Sequence, residues 1–316
     1  MGNTTRVQLL IRNLPKIVQA QGPGTFMRNV LVHARSEAWG TVQATAMRMR
    51  YNYYLANQTE RRNNRRLLEA ARASRSEPSG DRSPLVSILI PTYNRGRTLV
   101  ERAIASVLKQ TYQDFEVIVV GDHCTDDTER LIRGLNDKRV RFYNLPDKAR
   151  YPENHRYRWM VAGAPPRNLA LDLCSGDWIA PLDDDDEFSN DHIEALLNHA
   201  LEHDYEMVYG KVEYEARPDR WVEMGSYPLT FGAISHISVL YSSRLKFLRY
   251  DTNCWKYGEP ADWNMWRRMK EAGARIGFVS KVVGRYYLAG PRRSAQENDF
   301  HAKYWCNLTR CFGILE

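Results

Sequence analysis

Val86-Ser-Ile-Leu-Ile-Pro-Thr-Tyr-Asn94 is a short β-branched run closed by Pro91 and a turn-forming asparagine, and its reading decides the fold class. A run of this length that is apolar at nearly every position reads as a strand buried on both faces. Thr98 to Gln110 then carries apolar residues at helical spacing, and Phe115-Glu-Val-Ile-Val-Val120 is a second buried-strand run. Thr125 to Leu135 and Val140 to Leu145 repeat the pair, helix then strand. Further on, Asn168 to Cys174 reads as helix and Trp178-Ile-Ala-Pro-Leu182 as strand. Alternation of this kind predicts an α/β domain with a mostly parallel sheet flanked by helices. In open sheets of this class ligands bind beyond the carboxyl ends of the strands. Asp122 and the run Asp183-Asp184-Asp185-Asp186 both fall at such ends.

Four consecutive carboxylates directly after an apolar strand repel one another and raise one another's pKa unless a cation neutralises them. A bound divalent ion accounts for the run. Oxygen ligands of this type suit Mg²⁺ or Mn²⁺, and Mg²⁺ commonly binds through one or two carboxylates plus substrate phosphates. The alternative, acidic residues favoured by the N-terminus of a following helix at Asn190 to Leu201, accounts for one or two carboxylates and not for four.

Outside this region the sequence divides by charge. The 316 residues carry a net charge of +7, yet residues 1–83 hold 14 Lys and Arg against 5 Asp and Glu, so the excess is all N-terminal. Such a segment is either a solvated basic face or a contact for an anionic membrane, polymer or nucleic acid. Arg28 to Tyr54 is consistent with one or two amphipathic helices, and Glu60 to Ser76 is polar and helix-favouring. Glu77-Pro-Ser-Gly-Asp81 is a turn and linker cluster. These features divide the chain into a basic helical extension and linker over 1–82, a globular domain over 83–290 and a tail over 291–316. With 43% hydrophobic and 26% charged residues the composition is that of a globular protein. The five cysteines are widely spaced, with no CxxC pair, which predicts a reducing compartment and no structural zinc. No signal-peptide core and no membrane-spanning run are evident, so the expected location is cytoplasmic, with peripheral contact at the inner face of the membrane.

Val86 to Asn94, then Ser106-Val-Leu-Lys-Gln-Thr-Tyr112, then Phe115 to Asp122, then Arg167-Asn168, Gly176-Asp-Trp-Ile179 and Leu182-Asp-Asp-Asp-Asp-Glu187 together resemble family 2 glycosyltransferases of the GT-A, Rossmann-like fold. The resemblance spans roughly residues 84 to 290. It implies a metal-dependent, inverting transfer of a sugar from a nucleotide-diphosphate donor, a UDP-sugar by expectation, to a hydroxyl of a glycan or lipid-linked acceptor. It also implies roles. Pro91, Tyr93 and Asp122 match positions lining the nucleotide pocket, Asp183 and Asp184 match the ribose and metal side of the DxD element, and Asp185 matches the principal metal ligand. Arg167 is placed near the diphosphate and Asn168 as a hydrogen-bonding support for the acidic loop. Asp186 and Glu187 are expected to face solvent or cap the next helix. Arg95 and Arg97 rank lower, because a basic loop is usually just solvated.

Glu259-Pro-Ala-Asp262-Trp-Asn-Met-Trp266-Arg267 resembles the family segment in which an acidic pair precedes a Trp-containing helix. Asp262 falls on the catalytic-base position; an N-cap of a helix over Trp263 to Ala272 is its other reading, and the two can coexist. Gly121 and Ala261 stand where the family commonly has a second acid, and Glu259 is the candidate replacement for the latter. His236 is a weaker candidate for the acceptor side, and Arg285 to Arg293 for a basic flap. Trp255, Trp263 and Trp266 suit either sugar stacking or burial. Within enzymes, a retaining transferase or nucleotidyltransferase gives a similar sequence. From another class, the basic segment of a nucleic-acid-binding or scaffold protein with an inactive transferase domain remains an alternative.

Overall fold

The computed structural model describes residues 59–74, 83–217 and 220–287. The expectations for Arg28 to Tyr54, the linker at Glu77 to Asp81, the flap beyond Tyr287, and the tail over 291–316 lie outside the described residues. The chain divides into two compact units, Met1–Gln58 and Thr59–Glu316, and all the described residues belong to the second.

In chain order the elements are α1 (59–73), β1 (Val86–Thr92) and α2. Helix α2 is continuous through Gly96–Thr98, a π-helical turn at Leu99–Ile104 and Ala105–Leu108. Then come β2 (Phe115–Gly121), α3 (Thr128–Arg133), β3 (Val140–Asn144), α4 (His155–Val161) and α5 (Ala164–Leu173). They are followed by β4 (Trp178–Pro181), β5 (Glu187–Phe188), α6 (His192–Glu202), β6 (Met207–Arg217) and β7 (Arg220–Met224). Strand β8 (Val239–Ser242), α7 (Ala261–Ala272) and β9 (Ile276–Tyr286) complete the domain.

The sheet runs β3-β2-β1-β4-β8-β6-β9-β5, with β7 paired to β6. Strands β1 to β4 are mutually parallel, as the alternating sequence predicts. Strand β8 is antiparallel to both β4 and β6, while β9 returns parallel to β6. Alternate residues of the apolar runs go to opposite faces. Leu89, Ile118, Val120 and Ile179 join the core under α5 and α7. Val86, Ile88, Ile90, Val117 and Val119 join the core under α2 and α6. Burial on both faces is why these strands lack polar alternation.

Helix boundaries follow local chemistry. Gly163, at φ 75°, takes the left-handed conformation that separates α4 from α5. Pro165 and Pro166 then start α5, where missing N–H groups cost nothing. Helix α5 thus begins well before Asn168. Asn154 caps α4 by accepting from the Arg156 N–H.

Residues 59–73 fall in the segment expected as an extension, and their helix is tied to the sheet domain. Leu68 is fully buried in the core. Glu60 and Arg61 pair with Arg268 and Glu271 on α7, and Arg72 pairs with Glu206 at the start of β6. No helix among the described residues is long and apolar enough to cross a membrane.

Candidate functional site

The register places Thr92 beside Gly121 at the carboxyl ends of β1 and β2, and Leu182 beyond β4 donates its N–H to Leu89. The next residues, Tyr93, Asp122 and Asp183, therefore emerge from one edge of the sheet. There a cavity of about 870 Å³ opens, lined by Pro91, Tyr93, Asp122, Arg167, Asp183, Asp184, Asp185 and Asp262. All eight residues expected at the site from the sequence line it.

Asp122 is buried, and both its oxygens are engaged: Oδ1 accepts from the Ala149 N–H and Oδ2 from the Tyr151 hydroxyl, each at 2.8 Å. Burial, then this bond to Asp122, push the Tyr151 phenol well above its ordinary pKa, so it stays a donor. Tyr151 lies in the segment between β3 and α4 that no periodicity marks, and sequence reasoning missed it. Tyr93 is exposed at the cavity, with the Lys148 ammonium 3.8 Å from its ring centroid.

The acidic run is organised residue by residue. Arg167 donates from Nη2 to Asp183 Oδ1 at 2.5 Å and from Nη1 to the Ala162 carbonyl at 2.8 Å. The His236 Nδ1 stands 3.4 Å from the same Asp183 oxygen. Burial raises the pKa of Asp183, but the Arg167 charge and the contacts from Arg167 and His236 outweigh it and hold the carboxyl well below the usual range. Asp184 accepts from the Thr92 hydroxyl at 2.8 Å and from Arg95 at 3.0 Å. Burial, then the Asp185 charge, push Asp184 up to about 6 against the opposing pull of Arg95. Asp185 accepts from the same Arg95 Nη1 at 2.7 Å, and its backbone carbonyl accepts from Arg102 at 2.7 Å.

Several expectations are corrected. Asp186 does not face solvent: it is fully buried and accepts the Tyr287 N–H at 2.8 Å, because β5 pairs with the end of β9 and carries Tyr287 over it. Glu187 is half-buried beside Arg285 and the Tyr287 hydroxyl. Asn168 does not support the acidic loop; it exchanges two hydrogen bonds of 2.9 Å with the backbone of Tyr250. Glu259 does not replace the acid missing at Ala261, since its carboxylate is turned to Arg267 and Asn264. Arg95 is drawn into the acidic run, whereas Arg97 is 86% exposed.

Gly121 has a steric cause. A Cβ there would lie 2.5 Å from Asn144 Oδ1, the oxygen that accepts the Cys124 N–H. An acid before Asp122 fits only if the Asn144 side chain shifts and gives up its bond to the Cys124 N–H.

Asp262 sits in the first turn of α7, where Pro260 is the N-cap, so it is not the capping residue. Its Oδ1 accepts the Trp263 N–H at 2.7 Å. His236 is buried against Tyr250 and Trp266 as well as lining the cavity. Trp266 is fully buried, and Trp263 packs on Phe231 at the cavity wall with ring centroids 5.4 Å apart.

A mostly parallel α/β sheet with a carboxylate-lined cavity at its strand ends has its site where open sheets of this class bind ligands. The sequence matches the model of Glycosyl transferase family 2 over residues 87–269, and the chain belongs to that family. Over 127 residues it is 34% identical to a GalNAc(5)-diNAcBac-PP-undecaprenol beta-1,3-glucosyltransferase of Campylobacter jejuni, covering 40% of this chain and 38% of that protein. Over 129 residues it is 34% identical to the UDP-Glc:alpha-D-GlcNAc-diphosphoundecaprenol beta-1,3-glucosyltransferase WfgD of Escherichia coli, covering 41% and 46%. The chain thus spans less than half the length of these two relatives. Among solved structures, S. aureus TarS 1-349 in complex with UDP-GlcNAc superposes with a TM-score of 0.51 at 20% identity, over 68% of this chain and 60% of that one. A mannosyltransferase from Pyrobaculum calidifontis in complex with GDP-Man and Mn2+ gives 0.50 at 15% identity, over 79% and 69%. The domain has the GT-A fold of these structures.

Proposed function

We propose that the chain transfers a sugar from a nucleotide-diphosphate donor, a UDP-sugar, to a hydroxyl of a glycan or lipid-linked saccharide, with inversion at the transferred carbon. The observation that carries this reading is the convergence of Asp122, Asp183 to Asp185 and Asp262 on one cavity. Relatives named for a UDP-Glc donor and undecaprenol-linked acceptors, and the UDP-GlcNAc complex of TarS, support the donor and acceptor classes.

Asp122 is positioned to orient the base: Ala149 and Tyr151 fix its plane, and each carboxylate oxygen retains a second lone pair to accept a ring N–H. Tyr93 offers a face for stacking. Asp183, held by Arg167, accepts from ribose hydroxyls, while Arg167 contributes positive charge on the diphosphate side. The carboxylates of Asp184 and Asp185 are hard oxygen donors with one cationic group already seated between them, so they fit Mn²⁺ or Mg²⁺, with Asp185 the principal ligand. A divalent ion bound there supplies charge stabilisation to the departing diphosphate. Asp262 takes the proton of the acceptor hydroxyl as that oxygen attacks. Its bond to the Trp263 N–H leaves a second oxygen for this task. Exposed Arg62, Arg66 and Leu67 on α1 suit peripheral contact with an anionic membrane that holds a lipid-linked acceptor.

The test is a donor screen. Purified protein is offered UDP-, GDP- and dTDP-sugars with Mn²⁺ or Mg²⁺, nucleotide release is followed, and the anomeric configuration of the product is read by NMR. Release of UDP with inversion fits the proposal; retention of configuration, or pyrophosphate as product, contradicts it.

A further inference from the structure

The acidic run already carries a cation, and the chain supplies it. A single nitrogen of Arg95, Nη1, lies 3.0 Å from Asp184 Oδ1 and 2.7 Å from Asp185 Oδ2. Two hard carboxylate oxygens around one positive centre form the seat that a divalent ion takes. The seat is fixed independently of Arg95. Thr92 holds the other oxygen of Asp184 at 2.8 Å, and Arg102 holds the Asp185 backbone carbonyl at 2.7 Å. Arg95, by contrast, hangs from a turn at the start of α2. Asn94 takes the left-handed conformation there, φ 51°, and its side-chain oxygen accepts the Thr125 N–H at 2.8 Å. That turn aims Arg95 at the acidic run.

Two neighbouring buried carboxylates left without a cation are costly, so a site that must exist before its metal arrives needs a substitute. We propose that Arg95 is an exchangeable counter-cation: it neutralises Asp184 and Asp185 in the metal-free protein, and a divalent ion and its guanidinium hold the seat alternately. This rests on Asp185 being a metal ligand. Once displaced, the guanidinium stays at the cavity wall, where its planar donors suit an oxyanion of the donor's diphosphate. Arg95 therefore weakens the binding of metal alone and strengthens it when a diphosphate is present. Metal and donor are thereby coupled, and by linkage each raises the affinity of the other. Arg95 acts as a positioning and selectivity device for the ordered assembly of ion and donor.

The experiment measures Mn²⁺ affinity of the full chain from the free-ion EPR signal, with and without UDP, for wild type, Arg95→Gln, Arg95→Lys and Asp185→Asn. Arg95→Gln is expected to bind Mn²⁺ alone about tenfold more tightly, because a charge-assisted pair no longer has to be broken first. UDP is expected to raise Mn²⁺ affinity less in Arg95→Gln than in wild type. Arg95→Lys keeps the charge and stays within about threefold of wild type. Equal Mn²⁺ affinity in Arg95→Gln and wild type, with Asp185→Asn unable to bind, overturns the exchange while leaving the metal reading intact. A rise in Arg95→Lys equal to that in Arg95→Gln also overturns it, since charge is then not the cause. Absence of Mn²⁺ binding in every variant, with and without UDP, overturns the metal reading and the exchange together.

Discussion

Replacing Arg72 by alanine tests whether α1 belongs mechanically to the catalytic domain. Arg72 donates to both oxygens of Glu206, at 2.8 and 2.6 Å, and to the Gly273 carbonyl at 3.0 Å. Glu206 is 1% exposed at the start of β6 and also accepts the Arg275 N–H at 3.0 Å. Burial disfavours its charge, but the Arg72 hydrogen bonds and the Arg275 contacts more than compensate and hold its pKa below the ordinary value. Breaking a buried pair by removing one member costs about 3–5 kcal/mol. Arg72 is 32% exposed and Arg275 remains, so we expect a smaller loss of about 2 kcal/mol. For a domain of this size that is a fall in Tm of about 4–8 °C. Thermal unfolding by circular dichroism reads the shift directly. A cycle with Glu206→Gln should show coupling of at least about 1 kcal/mol between the two positions. A loss below about 0.5 kcal/mol, or additive effects, would refute the reasoning and make α1 an appendage. The link to function runs through α7. Helix α1 also pairs with Arg268 and Glu271 on the helix that carries Asp262 in its first turn. Deletion of residues 1–82 is therefore expected to lower turnover as well as stability.

Further predictions concern single residues. Tyr151→Phe removes one of the two donors on Asp122 and should weaken UDP binding about 3- to 10-fold by calorimetry, with the fold intact. Gly121→Asp, which installs the acid the family commonly has there, should destabilise by about 1–3 kcal/mol through collision with Asn144, read as a lower Tm. His192 is fully buried, and its ring N–H is placed to donate to the Val283 carbonyl at 2.8 Å. Burial depresses its pKa to about 4, with the Val283 bond opposing. Its contribution is therefore present above the ordinary histidine value and lost as pH falls from about 6.5 through 4, up to about 3 kcal/mol. Urea unfolding across that range should show the loss, and His192→Phe should flatten it.

The parallel half of the fold was legible because both of its faces are buried. Val86 to Ile90 and Phe115 to Val120 are apolar without alternation, and only a strand covered on both sides needs that. The acidic run announced the site for an electrostatic reason, since like charges at a strand end require a partner. The second half was not legible. Strands β6, β8 and β9 pair across long sequence separations, parallel on one side and antiparallel on the other, and their periodicity carries no record of the partner. The same limit hid Tyr151, which reaches Asp122 from a segment without pattern. It also misassigned Asp186, whose burial depends on Tyr287, a hundred residues away. Arg95 and Arg97 are alike in sequence. What separates them is the left-handed turn at Asn94, which directs one to the carboxylates and leaves the other in water.

The division of labour between metal ligand and base is tested most directly by comparing Asp185→Asn and Asp262→Asn in one experiment, with Mn²⁺-dependent binding of the UDP-sugar and turnover measured on the same preparations. Asp185→Asn is expected to lose metal-dependent binding. Asp262→Asn should bind donor within about twofold of wild type and turn over about 10²–10⁴ times more slowly. Wild-type turnover in Asp262→Asn, or undiminished Mn²⁺-dependent binding in Asp185→Asn, would contradict these roles.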